Sequence, residues 1–297
     1  MSRNFSILLA TGTLVLGAAV SARGVATTYP VQEKDEIRQT LKFPDSGRPG
    51  GLVVDNVFGK IEVQAADRTD VELVAYRTIK AKNQDKIALA KSEVKLDLKP
   101  RGGDIEIYVD GPFRCQTQDC RGVKQREWGY EVHYDFILQV PRRTNLTLKT
   151  VSAGDITVHG VEGAFDMTNM NGKIVLESVA GSGEAHTANG EVRVSFARNP
   201  TGPCSFKTMN GDVALSFRPG LAADFRLKTM HGDAYSDFAS TNLPPEEVRK
   251  ETREDKTIYR RGGFSGARVG KGGPEIRCET MTGDILIKKF DSKGEDR

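Results

Sequence analysis

The sequence has few of the residues that build metal and catalytic centres, with four histidines and four cysteines among 297 residues. No His-x-x-x-His pair and no His–Cys cluster with metal-ligand spacing occurs. The chain also lacks the G-x-S-x-G turn of serine hydrolases and the G-K-[ST] end of a phosphate-binding loop. These absences argue against the commonest zinc, serine-nucleophile and nucleotide sites. The histidines are scattered singly, at His133, His159, His186 and His231.

The sequence also has little excess charge of either sign. It contains 43 Lys and Arg against 40 Asp and Glu, a formal net charge of +3. A nucleic-acid-binding domain needs clustered Lys and Arg on a strongly basic surface, and this balance predicts no nucleic acid as partner. One basic run, at 260–271, could contact anionic polymers or lipid headgroups, or could be a solvated loop.

Long apolar runs are absent after the N-terminus. Residues 1–22 combine a positive Arg3, an uncharged apolar stretch and small residues ending at Ala22, which predicts a signal peptide. Cleavage after Ala26 is a second option, and an uncleaved membrane anchor is the alternative. The 16 apolar residues are fewer than the roughly 20 that a membrane span needs. The sequence therefore predicts an exported protein, periplasmic or at the cell surface, with no membrane span after cleavage.

Two of the cysteines lie close together, in the polar stretch "CQTQDC". In an oxidising compartment Cys115 and Cys120 are expected to form a structural disulfide, and half of a metal site is the alternative. Cys204 and Cys278 lie in alternating segments, where a small buried thiol is expected.

What the sequence does contain is a repeat. Seven stretches such as "TMNGDVAL" place a turn between two short runs in which apolar and polar residues alternate, the pattern of a half-buried strand. From the second turn onward the glycines are 18, 18, 21, 21 and 51 residues apart. Glycine at the turn supplies a positive φ. The seven turn glycines are Gly59, Gly154, Gly172, Gly190, Gly211, Gly232 and Gly283.

Near-constant repeat length favours stacked coils, in which each strand pairs in parallel with its counterpart in the next coil. The fold prediction is all-β: a parallel β-solenoid of about seven 18–21-residue coils with an N-terminal β-hairpin and short-helix elaboration. A meander or sandwich is the alternative. The hairpin is expected from "DIEIYV" and "YEVHYDFILQVP", and the helix from 83–96. The predicted organisation is a signal peptide at 1–22, a linker at 23–48, the repeat domain at 49–290 with an insertion at 237–274, and a charged tail at 291–297.

The layout "VPRRTNLTLKTVSAGDITV", successive Asn-Gly-Asp turns and "GKGGPEIRCETMTGDILIKK" resembles an exported bacterial family known as "putative adhesin". The resemblance covers roughly 50–290. It implies a β-strand-repeat domain of unknown function with a role in surface or envelope interaction. It supplies no catalytic or binding residue.

The sharpest candidate site is an acidic column. Asp155, Asp212, Asp233 and Asp284 follow equivalent glycines, and Asp212 and Asp233 are expected one rung apart in the stack. Carboxylates at such a short distance can bind a cation together or raise the pKa of one another. The alternative is that each Asp hydrogen-bonds the turn backbone, and Lys173 and Glu191 at equivalent positions favour it. No other metal, cofactor or catalytic residue is predicted.

The functional expectation is a non-enzymatic envelope or surface module. It would bind polysaccharide, cell wall or an envelope protein through the faces of the solenoid. A polysaccharide-active β-helix enzyme and an envelope-stress sensor or scaffold are the alternatives. Trp128 and Tyr130 could offer an aromatic contact for sugar, or could pack against the hairpin.

Overall fold

The computed structural model describes residues 29–44, 49–114, 128–152, 154–244, 249–253, 256–260 and 263–290. The predicted signal peptide, the Cys115–Cys120 pair and the charged tail lie outside these residues. Within them the chain forms one helix and 23 strands. In the described part of the chain, the single helix is too short to cross a membrane. The elements are β1 (Val31–Lys42), β2 (Gly51–Asp55), β3 (Ile61–Ala66), β4 (Asp70–Ala81), α1 (Gln84–Glu93), β5 (Lys95–Arg101), β6 (Asp104–Asp110), β7 (Tyr130–Pro141), β8 (Asn145–Thr150), β9 (Ile156–His159), β10 (Phe165–Asn169), β11 (Ile174–Val179), β12 (Gly183–His186), β13 (Val192–Phe196), β14 (Cys204–Lys207), β15 (Val213–Phe217), β16 (Ala223–His231), β17 (Ala234–Ser236), β18 (Ser240–Leu243), β19 (Arg249–Arg253), β20 (Lys256–Arg260), β21 (Ser265–Val269), β22 (Glu275–Thr282) and β23 (Ile285–Lys289).

Two large sheets carry the repeat. In every repeat the strand before the glycine lies in an 11-stranded sheet, and the strand after it lies in a 10-stranded sheet. Each strand of the repeat pairs in parallel with its counterparts in neighbouring repeats, for example Leu176 with Val158 and with Val194. Because residues alternate across a strand, the apolar positions of both sheets point inward and form one core. The predicted all-β architecture with parallel stacking is confirmed.

We call each glycine turn with its two flanking strands a turn unit and name it by its glycine. The units do not stack in sequence order, because β22 lies between β14 and β16, and β23 lies between β15 and β17. The last unit of the chain is therefore an inner rung. The prediction that Asp212 and Asp233 lie one rung apart is wrong, since Asp284 lies between them. The stack runs in the order Gly59, Gly154, Gly172, Gly190, Gly211, Gly283, Gly232.

The other end of the stack is also built out of sequence order. The expected hairpin of β6 and β7 does not form, because β6 pairs with β2 in one sheet and β7 pairs with β3 in the other. Both pairings are parallel, so β6 and β7 flank the Gly59 unit as a further rung without its glycine turn. The count of about seven coils stays a prediction. Antiparallel strands then close this end, β5 on β6 and β4 on β7.

Strand β1 lies within the segment that the sequence assigns to a linker. All twelve of its residues pair with β4, from Val31 opposite Ala81 to Lys42 opposite Asp70. Exposed and half-buried residues alternate along it, as expected of an edge strand that covers the sheet with one face. The sheet therefore begins at residue 31, not at 49.

The segment 237–274 extends the 11-stranded sheet beyond the repeat. Within it β21 pairs antiparallel with β16, and β18 pairs antiparallel with β21. Strands β19 and β20 form a separate two-stranded hairpin. The inserted residues thus lie beside the Gly232 unit, at the end of the stack.

Aromatic rings fill the middle of the core between the two sheets. Phe196 is fully buried, stacks on Phe217 at a ring-centroid distance of 5.0 Å and meets Phe206 edge-on at 6.3 Å. Phe165 and Phe225 continue this run on either side. Packed rings on successive rungs fix the distance between the sheets, which holds the turns in line along one edge.

Candidate functional site: the turn edge

The turn edge is the side of the molecule where the seven glycine turns lie one above another. Neighbouring parallel strands are about 4.8 Å apart, so each position of the repeat forms a column with that spacing. Four columns define the edge: an inward hydroxyl or amide column, and outward columns of methionine, asparagine and carboxylate.

The turn glycines are required by space as well as by backbone conformation. Gly211 has a φ of +147°, in the region that favours glycine, and a Cβ placed on it would lie 2.2 Å from the carbonyl oxygen of Gly190. At Gly283 the corresponding distance, to the carbonyl oxygen of Gly211, is 2.1 Å. No side chain fits in such a gap. The sequence predicts the positive φ but not this close approach between rungs.

The inward column explains the Thr that opens the repeated letters. The buried Thr208 hydroxyl donates a hydrogen bond of 2.8 Å to the carbonyl of Gly190 in the preceding unit. Thr280 donates likewise to Gly211 at 2.9 Å. Each hydroxyl satisfies a partly buried glycine carbonyl of the neighbouring turn. The same bond recurs from Thr150, Thr187 and Thr229, and from the amide of Asn169.

Substituting Thr280 by valine tests this ladder, because valine keeps the shape and loses the hydroxyl. We expect Thr280→Val to lower the free energy of unfolding by about 1–3 kcal/mol, since the partly buried Gly211 carbonyl loses this donor. The measurement is urea denaturation followed by circular dichroism. Thr282→Val, at an exposed position two residues away, should change stability by no more than about 0.5 kcal/mol. Equal losses in the two variants would contradict the ladder.

The asparagine column forms a second ladder on the outside. The Asn189 amide donates to the side-chain oxygen of Asn171, and the Asn210 amide donates to that of Asn189, both at 2.8 Å. Thr282 and then His231 occupy the same position in the last two units. The polar edge is therefore pre-ordered over three rungs.

The carboxylate column contains all four predicted aspartates, but in two groups. Asp155 lies between Lys60 and Lys173, and its carboxylate accepts the Lys173 backbone N–H at 2.7 Å. At the other end Glu191 and three aspartates follow one another on adjacent rungs. Their order is Glu191, Asp212, Asp284 and Asp233.

The aspartates bind backbone across rungs. Asp212 accepts the N–H of Asp284 at 2.8 Å, and Asp284 accepts the N–H of Asp233 at 2.9 Å. Each carboxylate thus caps the next turn, not its own. Among the described residues, no three His, Cys, Asp or Glu side chains are grouped so as to hold a metal ion. The local charge still acts on its neighbours, and Asp233 and Asp284 raise the pKa of Tyr235.

The methionine column was not singled out from the sequence, although its signal is the second letter of "TMNG", "TMHG" and "TMTG". These side chains point away from the core and are 42–61% exposed, which is uncommon for four apolar residues on one edge. The other members of the column are smaller, Val57, Val151 and Ala188. The four exposed methionines are Met170, Met209, Met281 and Met230.

A row of charged residues borders the methionine column on the 11-stranded sheet. Glu279 lies between Lys207 and Lys228, with N–O distances of 3.2 and 2.9 Å. Partial burial alone would raise the pKa of Glu279, but hydrogen bonds from the two lysines outweigh it and the pKa is lowered. These residues form an ion pair network on the surface, and Glu279 balances one of the two positive charges.

The remaining candidates are spread over the molecule. Trp128 lies 6.1 Å from Tyr130 and 6.3 Å from Phe113 between ring centroids, so it packs in an aromatic cluster at the Gly59 end of the stack. Cys204 and Cys278 are buried free thiols, as expected, and burial raises the pKa of each. Arg268, from the basic run, forms an ion pair with Asp224 at 2.7 Å. Asp224 lies at the start of β16, whereas Met230 lies near its end.

A surface depression of about 460 Å³ lies beside Asp155. Its lining mixes charges of both signs. The lining residues are Lys60, Glu62, Asp135, Gly154, Asp155 and Thr157. Asp135 accepts the Lys60 backbone N–H at 3.0 Å, the same cross-rung bond that the aspartates of the column make. The carboxylates here are therefore also used by the stack.

Comparison with known proteins matches the family model described as Toastrack DUF4097 to residues 133–288. No curated protein matches the chain.

Several solved structures resemble the chain distantly. A "putative cell adhesion protein" from Clostridium sporogenes is 9% identical, with 87% of this chain and 100% of that chain covered and a TM-score of 0.41. A "putative adhesin" from Bacteroides fragilis is 10% identical, with 86% and 97% covered and a TM-score of 0.37. A "putative lipid binding protein" from Parabacteroides distasonis is 10% identical, with the same coverage and a TM-score of 0.22.

Proposed function

The chain belongs to the Toastrack DUF4097 family, and from that premise we propose that it is a non-enzymatic, adhesin-like interaction module of the cell envelope or cell surface. Its ligand is a repeating polymer, a polysaccharide or cell-wall fraction, bound along the outer face of one of the two sheets. The predicted signal peptide supports the location.

One observation carries the proposal: the parallel register repeats the same outward positions on rung after rung. On the 11-stranded sheet the outward column between buried positions runs through Thr147, Asp166 and Glu184. On the 10-stranded sheet it runs through Glu62, Thr157 and Val175. A ligand with its own regular repeat can contact several rungs at once, so that weak contacts add up to useful affinity.

The proposal predicts that the purified chain co-sediments with an insoluble peptidoglycan or polysaccharide fraction. Binding should saturate and should survive moderate salt, because contacts spread over many rungs do not depend on net charge. No binding to any fraction would overturn polymer adhesion and favour a protein partner. Release of soluble sugar from the pelleted polymer would contradict a non-enzymatic module.

Two variants identify the face and serve as controls for each other. Thr147→Arg places a bulky charge on the outer face of the 11-stranded sheet, and Thr157→Arg does the same on the 10-stranded sheet. Both threonines point outward between buried residues, so neither change should disturb the core. We expect one variant to lower affinity at least about tenfold, or about 1.4 kcal/mol, and the other to bind normally. Normal binding by both would place the ligand off the sheet faces.

A further inference from the structure

Three methionines meet on consecutive rungs of the turn edge. Met281 is flanked by Met209, because the Thr282 N–H donates to the Met209 carbonyl at 2.8 Å. It is flanked on its other side by Met230, because Thr280 pairs with Thr229 and Thr282 pairs with His231. In the sequence Met281 lies 51 residues after Met230. The stacking of β22 between β14 and β16 creates the cluster.

Packing does not account for this cluster. The three side chains are 45%, 42% and 61% exposed, and the equivalent position holds alanine in the Gly190 unit. Met167 shows the ordinary use of the residue, since it is buried in the core. Apart from Met1 and Met167, every methionine of the sequence lies in this one column.

Rung spacing suits a shared ligand. Adjacent rungs are about 4.8 Å apart, and two sulfur atoms that bind one metal ion at about 2.3 Å each can be up to about 4.6 Å apart. Methionine has three rotatable bonds, so thioethers from three successive rungs can converge on one point. Met170 is excluded from such a group, because Ala188 separates it from Met209 by a full rung.

The local charge is negative overall and favours a cation. The ion pair network that borders the methionine column carries one net positive charge, and three carboxylates lie across the glycine turns. The same three units carry Asp212, Asp284 and Asp233 on the other side of the glycine turn. His231 follows Met230 directly, is exposed, and takes the position that asparagine holds in three other units. The site would gain a nitrogen donor from its imidazole, because His231 lies on the same rung as Met230.

We propose that Met209, Met281 and Met230, with the imidazole of His231, form a site for a soft monovalent cation, Cu(I), for which Ag(I) is the redox-stable probe. Thioether ligands select Cu(I), and imidazole suits copper as well. Hard divalent cations prefer oxygen ligands and are not expected here. Thioether and imidazole ligands are neutral, so the bound ion keeps its positive charge, and the three nearby aspartates compensate that charge. This site does not depend on the proposed polymer binding.

The test is titration of the purified full chain with Ag(I), in a background of Cys115→Ser and Cys120→Ser that removes the two cysteines outside the described residues. Cys204 and Cys278 are 4% and 0% exposed and stay protected from the ion. Calorimetry measures stoichiometry and affinity, and the ¹³C methyl resonances of methionine report which thioethers bind. We expect one ion per chain, with the resonances of Met209, Met281 and Met230 shifted and those of Met170 and Met167 unchanged.

Conservative variants separate the site from general surface binding. Met281→Leu keeps size and polarity but removes the central sulfur, and we expect at least about a tenfold loss of affinity, since even outer-shell partners of metal ligands are worth 10–100-fold. His231→Asn introduces the residue that the Gly172, Gly190 and Gly211 units have at this position and should weaken binding by a similar factor. Met170→Leu is the matched control on the same column and should bind as the parent does.

Four results would contradict the proposed site. One is the absence of saturable binding, and another is binding that persists when all three clustered methionines are replaced by leucine. An equal effect of Met170→Leu and Met281→Leu would show that any exposed thioether suffices. Mg²⁺ or Ca²⁺ displacing Ag(I) at equal concentration would assign the ion to the aspartates instead.

Discussion

Replacement of Gly211 by alanine is expected to lower the free energy of unfolding by about 2–6 kcal/mol, a large part of the stability of a domain of this kind. The added Cβ would lie 2.2 Å from the carbonyl oxygen of Gly190, and overpacking of this kind costs about 1–3 kcal/mol. A residue with a side chain at a φ of +147° adds strain of about 1–3 kcal/mol. Urea denaturation, or the soluble yield if the variant does not fold, measures the loss.

Gly220 provides the control for this prediction. It has a φ of +81°, but a Cβ placed there would meet nothing within 4 Å. Gly220→Ala therefore tests the backbone conformation alone and should cost about 1–2 kcal/mol. If Gly211→Ala and Gly220→Ala were equally destabilising, the close approach of the rungs would not contribute to the requirement for glycine.

The comparison separates two reasons for one residue, and only one of them can be predicted from the sequence. A turn flanked by alternating strands predicts glycine with a positive φ, and Gly211 has it. The contact between Gly211 and the Gly190 carbonyl depends on which rung lies beside which. That information is not local, because every unit carries nearly the same letters and any unit could stack on any other.

The same limit explains what the sequence predicted correctly around the turns and what it missed. Period-two alternation predicted the buried pairs, such as Val213 and Leu215, since burial of one face is set within a single strand. The alternation assigns no role to the Thr that opens five of the seven units, although Thr208 is buried and bonds the neighbouring rung. Its partner lies 18 residues earlier in the chain, so only the stack reveals it.

The ends of the stack show the limit most clearly. Strands β6 and β7 follow one another with a polar stretch between them, which is how a hairpin looks in sequence. They separate into two sheets because each has an inward apolar row, Ile105 with Ile107 and Phe136 with Leu138, that continues the row of a different sheet. Burial on opposite walls of one core overrides the local preference for a hairpin.

A chain that ends at Pro274 is expected to lose the C-terminal end of the stack, not merely its last rung. The deletion removes β22 and β23, which lie inside the stack, and so leaves β16 and β17 without their parallel partners. The lost side chains are fully or almost fully buried, and burial of an aliphatic side chain is worth about 1.5–3 kcal/mol. They are Ile276, Cys278, Ile285 and Ile287. We expect the free energy of unfolding to fall by about 5 kcal/mol or more.

Amide hydrogen exchange measures the effect rung by rung. Amide protection should disappear over 223–236 and persist in β8 to β13, which lie farther from the deleted strands in the stack. A chain that ends at Phe290 keeps both strands and should retain protection throughout. Had the units stacked in sequence order, removal of the last one would have exposed a single new edge and left 223–236 protected.

A synthetic peptide of residues 275–290 sharpens this test, because the truncated chain should present a gap that accepts a strand in each sheet. If the gap persists, the peptide should restore protection over 223–236, and Thr280→Val in the peptide should weaken the rescue by removing the bond to Gly211.

If the gap instead closes, the Gly232 unit will stack directly on the Gly211 unit, and protection will return without peptide. Because "TMHGDA" and "TMNGDV" are nearly identical, this direct stacking is the arrangement that competes with the observed one. The buried contacts of Ile276 and Cys278 with both neighbouring rungs are therefore what must select the observed order.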